Sequence, residues 1–173
     1  MTNLQSIMQF TVGKNPTRMK DIEEEQKYTP EDFENDLHSC NTIDENEGCI
    51  INLIKTTAAP MSKENREKCI TSNFLKCEFD KNKLDPWFFC YQFNEGLDFE
   101  KQIQKYHQGT TISVKKLNIK NIGEFEIKLP NIDKQRIIGK LYKQTIIQKD
   151  MLEKQIENKT KISMEIIRRI EED

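Results

Sequence analysis

Ile122-Gly-Glu-Phe-Glu-Ile-Lys-Leu-Pro130, running on into Asn131-Ile-Asp-Lys-Gln-Arg-Ile-Ile-Gly-Lys-Leu141, decides how this chain is built. Phe125, Ile127 and Leu129 alternate with Glu124, Glu126 and Lys128, the period of a half-buried strand. Pro130 ends that strand. From Asp133 to Ile170 there is no proline and a single glycine, Gly139. The spacing predicts one long helix of roughly 55 Å at 1.5 Å per residue. Such a helix outreaches a domain of this size, so its far end calls for a partner.

Working outward, Gly48 to Lys55 is apolar enough for a buried strand, and Thr56 to Asn65 reads as a loop. Lys68 to Asp80 carries Ile70, Phe74, Leu75 and Phe79 and reads as one or two strands with a break. Asp85-Pro86 is a cap with proline just inside, which predicts an aromatic helix holding Trp87, Phe88, Tyr91 and Phe93. Asp98 to His107 places Phe99, Ile103 and Tyr106 on one helical face. Ser113 can cap a short turn through Leu117. Residues 1 to 20 read as a lead-in with a turn at Gly13 to Pro16. Residues 20 to 47 read as an exposed acidic excursion, with a helix start at Thr29-Pro-Glu-Asp32. Helices and strands that do not strictly alternate give an α+β domain with a mixed sheet and short helices. The expected division is a globular domain over 1–130 and a long helix over 131–173.

The chain has 173 residues, enough for a proper core. No apolar run reaches the roughly 20 residues of a membrane span, and the N-terminus shows no secretory pattern. Its five cysteines form no Cys-x-x-Cys pair, so neither a zinc site nor a disulfide framework is expected. Cys49, Cys69 and Cys90 read as small core residues, reduced as in the cytoplasm. No phosphate-binding glycine loop, metalloprotease helix or nucleophile elbow is present. A non-catalytic chain, with no metal and no cofactor of its own, is the expectation.

The net charge is −2, unevenly placed. Residues 21–47 hold eleven acids against Lys27, so the remainder is net +8; residues 101–120 hold five lysines and no acid. Donors suited to DNA gather in four groups. Lys14, Asn15, Thr17 and Arg18 join a cation, an amide and a hydroxyl in one turn. Arg18 suits guanine and Asn15 adenine, while Lys14 suits phosphate. Lys55 and Thr57, then Lys63 and Arg66, follow the central strand. Gln108, Thr110, Thr111 and Lys115 lie in the basic stretch. Taken alone, each group reads first as a plain polar turn.

In the long helix, Ile138, Leu141, Leu152, Ile162, Ile166 and Ile170 approach a three-four repeat, interrupted by Thr145, Gln148, Gln155 and Lys159. Ile146, Ile147, Met151 and Ile156 widen the stripe. This pattern predicts a helix that contacts more than one partner, pairing with a helix of another chain, rather than a clean two-stranded zipper; the alternative is an amphipathic helix folded back on its own domain.

The order of these pieces resembles the specificity subunits of type I restriction-modification systems. A strand closing on Leu129-Pro130, a gap of four residues, Gln135, then Ile137-Ile138 and Leu141 resembles the junction where each DNA-reading domain runs into a conserved helix. Gly48-Cys-Ile-Ile-Asn-Leu-Ile-Lys-Thr-Thr-Ala-Ala-Pro60 is similar to the family's central strand and loop. Leu84-Asp-Pro-Trp-Phe-Phe-Cys-Tyr-Gln-Phe-Asn94 and Gln108-Gly-Thr-Thr111 extend the likeness over roughly residues 45 to 170. The chain departs at Lys134, where the family's Glu would complete a capping box.

The resemblance implies a target recognition domain that binds double-stranded DNA. It implies a methyltransferase subunit as partner, using S-adenosylmethionine on adenine, and a restriction subunit joining in some assemblies. A single domain with a single helix implies a half-length form that dimerises to read a split palindrome. The alternative is a coiled-coil adaptor or decoy with no DNA binding of its own.

Overall fold

A computed structural model describes residues 1–38, 48–107, 117 and 119–172. The ladders of both sheets are antiparallel; parallel pairing is confined to the isolated bridges Lys14–Thr71 and Lys27–Cys69. The larger sheet has the order β2(Met8–Val12), β5(Phe74–Phe79), β3(Cys49–Asn52), β4(Thr57–Pro60). The smaller pairs β1(Thr2–Asn3) with β6(Glu126–Ile127), so the first residues of the chain meet the end of the domain.

The sheet is covered on both faces. Cys49, Ile51, Ala58, Leu75 and Cys77 pack with Trp87, Phe88, Phe89, Cys90 and Phe93 of α2(Pro86–Glu95). The same core takes in Phe99 of α3(Leu97–His107), Ile122 of α4(Ile119–Glu124) and Phe125. Ile50, Ala59 and Phe74 alternate to the opposite face. There they meet Tyr28, Met61, Ile70 and Phe33 of α1(Pro30–His38). This two-faced alternation is why β3 reads as an unbroken apolar run.

The helices over Pro86–Glu95 and Leu97–His107 lie where the sequence puts them, and Asp85 accepts from the Phe88 N–H at 2.8 Å as the predicted cap. The start of α1 also matches. Asp32 accepts from the Thr29 N–H at 2.8 Å, and the Thr29 hydroxyl accepts from the Asp32 N–H at 3.1 Å. Other expectations are corrected. Residues 8–12 are a sheet strand, not a lead-in. Residues 57–60 are an edge strand inside the expected loop, unreadable from Ala-Ala-Pro because these residues have little strand preference. Residues 20–38 are not an exposed excursion, since Tyr28, Phe33 and Asp36 are buried beneath the acidic surface. Phe125 to Leu129 alternates in burial as expected, but only two residues join a ladder, and a short helix precedes them. Cys69 is half-buried, while Cys49, Cys77 and Cys90 are fully buried. The Cys40 position and the turn at Ser113 lie outside the described residues.

The long helix α5(Ile132–Glu172) has 41 residues, about 60 Å. Only its first turns touch the domain. Every described residue from Met151 onward is exposed.

Candidate nucleic-acid interface

One end of the larger sheet collects the loop that follows β2, the β3–β4 hairpin and the lead into β5. The registers Val12–Leu75, Asn52–Phe74 and Asn52–Thr57 place these chain reversals side by side. Backbone hydrogen bonds join them. The Lys14 N–H donates to Ile70 at 2.9 Å, Ser72 donates to Lys14 at 2.8 Å, and Leu53 donates to Asn73 at 2.8 Å. Gly13 permits this closeness, because a Cβ there would overlap the Thr71 carbonyl.

The Gly13–Arg18 turn is built by its own side chains. Asn15 caps a 3-10 turn over Pro16–Arg18, accepting from the Thr17 N–H at 3.1 Å and the Thr17 hydroxyl at 2.9 Å. Met19 is buried behind it. Lys14, Asn15, Thr17 and Arg18 all stay exposed, on a fixed backbone. The Asn15 carbonyl is thereby engaged within the turn.

In the hairpin, Asn52 accepts from the N–H groups of Ile54 and Lys55, each at 3.0 Å. Thr56 sits at φ 54°, the left-handed region that a β-branched residue avoids. The Thr57 hydroxyl donates to the Lys55 carbonyl at 3.1 Å. Ile54 and Lys55 are presented at the tip, with Ile54 55 % exposed. The Lys55 ammonium pairs with Glu34 of α1, which partly neutralises it.

Gln108, Thr110, Thr111 and Lys115 lie outside the described residues. Leu117, just after them, donates its N–H to the Leu53 carbonyl at 3.3 Å, so the chain returns beside the hairpin. Lys63 and Arg66 leave from the opposite end of β4, past Pro60. Their loop is tied to α1 by buried Asp36. That carboxylate accepts from the Tyr28 hydroxyl at 2.9 Å, Asn65 Nδ2 at 3.0 Å and the Ser62 N–H at 3.3 Å. Burial pushes the Asp36 carboxyl up, against those three donors. Burial and then Asp36 push the Tyr28 phenol up. Two of the four predicted groups are thus brought together, Lys63 and Arg66 stand apart, and the fourth group lies outside the described residues.

The sequence marks the joint between domain and long helix but not what its residues touch. Asn131 caps α5, accepting from the Lys134 N–H at 2.9 Å, while Lys134 itself stays exposed. Gln135 is buried and fully used. It accepts from the Asp85 N–H at 3.1 Å and donates to the carbonyls of Lys83 at 3.1 Å and Pro130 at 2.9 Å. One turn on, Gly139 lies against the start of α2. Another turn on, Tyr142 meets Trp87 and Tyr91 edge to face or tilted, and its hydroxyl accepts from Asn94 at 3.1 Å. Burial raises the Tyr142 phenol to about 12. Asn94 also bonds both backbone groups of Ala58, at 2.7 and 2.9 Å, closing the β4 edge. The spacing Gln135, Gly139, Tyr142, Ile146 was the available signal. On a neighbouring face of α5, Arg136, Lys140 and Lys143 line a groove of about 510 Å³ beside Asp85 and Trp87.

An antiparallel α+β domain packed against one long projecting helix is a fold shared with solved structures. The HsdS subunit from Thermoanaerobacter tengcongensis has this fold, with a TM-score of 0.55 and 17% identity over 86% of this chain and 37% of that chain. A chain solved for complex assembly and conformational transition of the type I R-M system gives a TM-score of 0.61 and 16% identity, over 96% of this chain and 42% of that one. The present chain therefore spans about two fifths of the length of each. No protein-family model and no curated protein matches its sequence. The fold expected from the resemblance is the fold found.

Proposed function

We propose that this chain is the DNA-recognising, non-catalytic part of a type I restriction-modification complex. The observation that carries the reading is the whole-chain likeness to HsdS folds, which takes in the long helix as well as the domain. The sheet end bearing Lys14, Asn15, Thr17, Arg18, Lys55 and Thr57 is the surface offered to duplex DNA. Gln108, Thr110, Thr111 and Lys115 belong to the same proposal because they lie in the basic stretch of the sequence. Lys63 and Arg66, on the far side, contact DNA least. Residues 131–173 serve as the dimer and docking helix. One domain reads one half-site, and two domains paired through α5 read a split palindrome. The partners are a methyltransferase subunit, which brings S-adenosylmethionine, and a restriction subunit in the full complex. Among the described residues no helix is long and apolar enough to cross a membrane; a cytoplasmic location belongs to this proposal.

The test is co-expression with a type I methyltransferase subunit, followed by mapping of adenine methylation. New methylation at a symmetric, interrupted motif is expected. A stable complex that methylates no defined motif would instead establish the adaptor or decoy reading.

A further inference from the structure

The β3–β4 hairpin spends its polar groups on itself. Its reversal is formed by residues 53–56. Leu53 is buried; its N–H donates to the Asn73 carbonyl, and its own carbonyl accepts from the Leu117 N–H. Asn52 accepts from the N–H groups of Ile54 and Lys55. The Lys55 carbonyl accepts from the Thr57 hydroxyl, and the Lys55 ammonium is drawn toward Glu34 of α1. Thr56 is half-buried and holds a left-handed φ. A threonine there, where glycine or asparagine would be relaxed, is backbone strain of the kind kept at binding sites. What the tip presents outward is the Ile54 side chain. Outside α5, the exposed large apolar side chains among the described residues are Met1, Val12, Ile54 and Leu97. Ile54 is the one carried on a hairpin tip, and Val12 ends β2 at the same end of the sheet.

We infer that Ile54 reads a thymine of the half-site by packing on its C5-methyl group in the major groove. The inference rests on the proposed function and specifies what this hairpin adds to it. The major groove, about 12 Å wide, admits a two-stranded ribbon, whereas the minor groove, about 6 Å wide, is too narrow for one. Base edges in the major groove offer hydrogen-bond donors and acceptors, and a single kind of apolar group, the thymine methyl. An isoleucine set against a guanine, cytosine or adenine edge strips water from polar atoms and returns no hydrogen bond. Against the thymine methyl it buries apolar surface on both partners. Lys14 on phosphate then holds the duplex, while Ile54 on a base selects its sequence.

The test uses the full chain with its methyltransferase subunit, on duplexes carrying the motif found by methylation mapping. Any such motif contains thymine, because the methylated adenine pairs with one. Each thymine is replaced in turn by deoxyuridine, which lacks only the methyl. At one position per half-site the exchange should weaken binding about fourfold, the value of one buried methyl group. With Ile54→Ala, thymine and deoxyuridine at that position should bind alike. Ile54→Val, still apolar and branched, should retain part of the difference. Lys14→Ala should weaken both duplexes equally. If no exchange matters in a complex that still binds its motif specifically, the inference fails and DNA recognition stands. If the difference persists in Ile54→Ala, another residue reads the methyl and the inference again fails. If no motif is methylated or bound, the DNA-recognition reading fails and takes the inference with it. Ile54 is 55 % exposed, so its alanine variant should match the parent in thermal unfolding, which separates a lost contact from a lost fold.

Discussion

Gly139→Ala tests the joint between domain and helix, because two physical effects there have opposite signs. In an exposed helix interior, replacing glycine by alanine stabilises by about 1 kcal/mol. Here the new Cβ would lie 2.8 Å from the Phe88 nitrogen and 3.0 Å from the Trp87 Cβ, and closer still to the Asp85 carboxylate. Backbone nitrogen and the first side-chain carbon cannot swing away, so α5 must lift from α2. Lifting strains packing by about 1–3 kcal/mol. It also disturbs the Asp85 cap on the Phe88 N–H, worth about 0.5–2 kcal/mol. After subtracting the propensity gain, the net loss is about 2 kcal/mol. For a chain of this length that lowers the melting temperature by about 4–8 °C. The assay is urea and thermal unfolding at fixed protein concentration, followed by circular dichroism and by the fluorescence of Trp87, the single tryptophan, which lies in the contact. An alanine variant as stable as the parent, or more so, would refute the claim that helix and domain are locked at this point.

Gln135→Ala should cost about 3 kcal/mol in urea denaturation, since it strands the Asp85 N–H and the carbonyls of Lys83 and Pro130. The two α1 carboxylates should titrate to opposite sides of the ordinary aspartate value of 3.8 in carboxyl NMR. Asp36, raised by burial, binds its proton more tightly when folded. It therefore lowers stability as pH climbs from 3.8 through its raised value, and Asp36→Asn should remove that slope. For Asp32 burial raises the value, but the bonds from Lys68 and Thr29 win and lower it. Its contribution is present above 3.8 and is lost as pH falls through the lowered value. Lys14→Ala should flatten the salt dependence of DNA affinity in the methyltransferase complex by about one phosphate contact. Lys55→Ala should change it less, because Glu34 already neutralises that lysine.

The longer helices were legible because their signals are local, whereas the short helix Ile119–Glu124 was not. Asp85-Pro86, Thr29-Pro30-Glu-Asp32 and the proline-free run after Asp133 carry their own caps and periodicity. The strands were legible where burial wrote an apolar run, as at Ile50-Ile51, or an alternation, as at Phe125 to Leu129. Met8–Val12 and Thr57–Pro60 are strands because β5 and β3 offer them edges, and no local residue preference announces that.

The candidate interface divides in the same way. The turn chemistry of Gly13–Arg18 is written in consecutive residues. That it stands beside Lys55 and Thr57, while Lys63 and Arg66 do not, follows from strand directions that only the folded sheet fixes. By itself the sequence determined an α+β domain, a long helix with an unpaired apolar stripe, and the residues that cap each piece. The tertiary structure alone decided what the strand-proline-helix ending does. Gln135, Gly139 and Tyr142 read as ordinary helix positions until α2 lies across them. A buried amide, a missing Cβ and a phenol gain meaning only from the groups they touch.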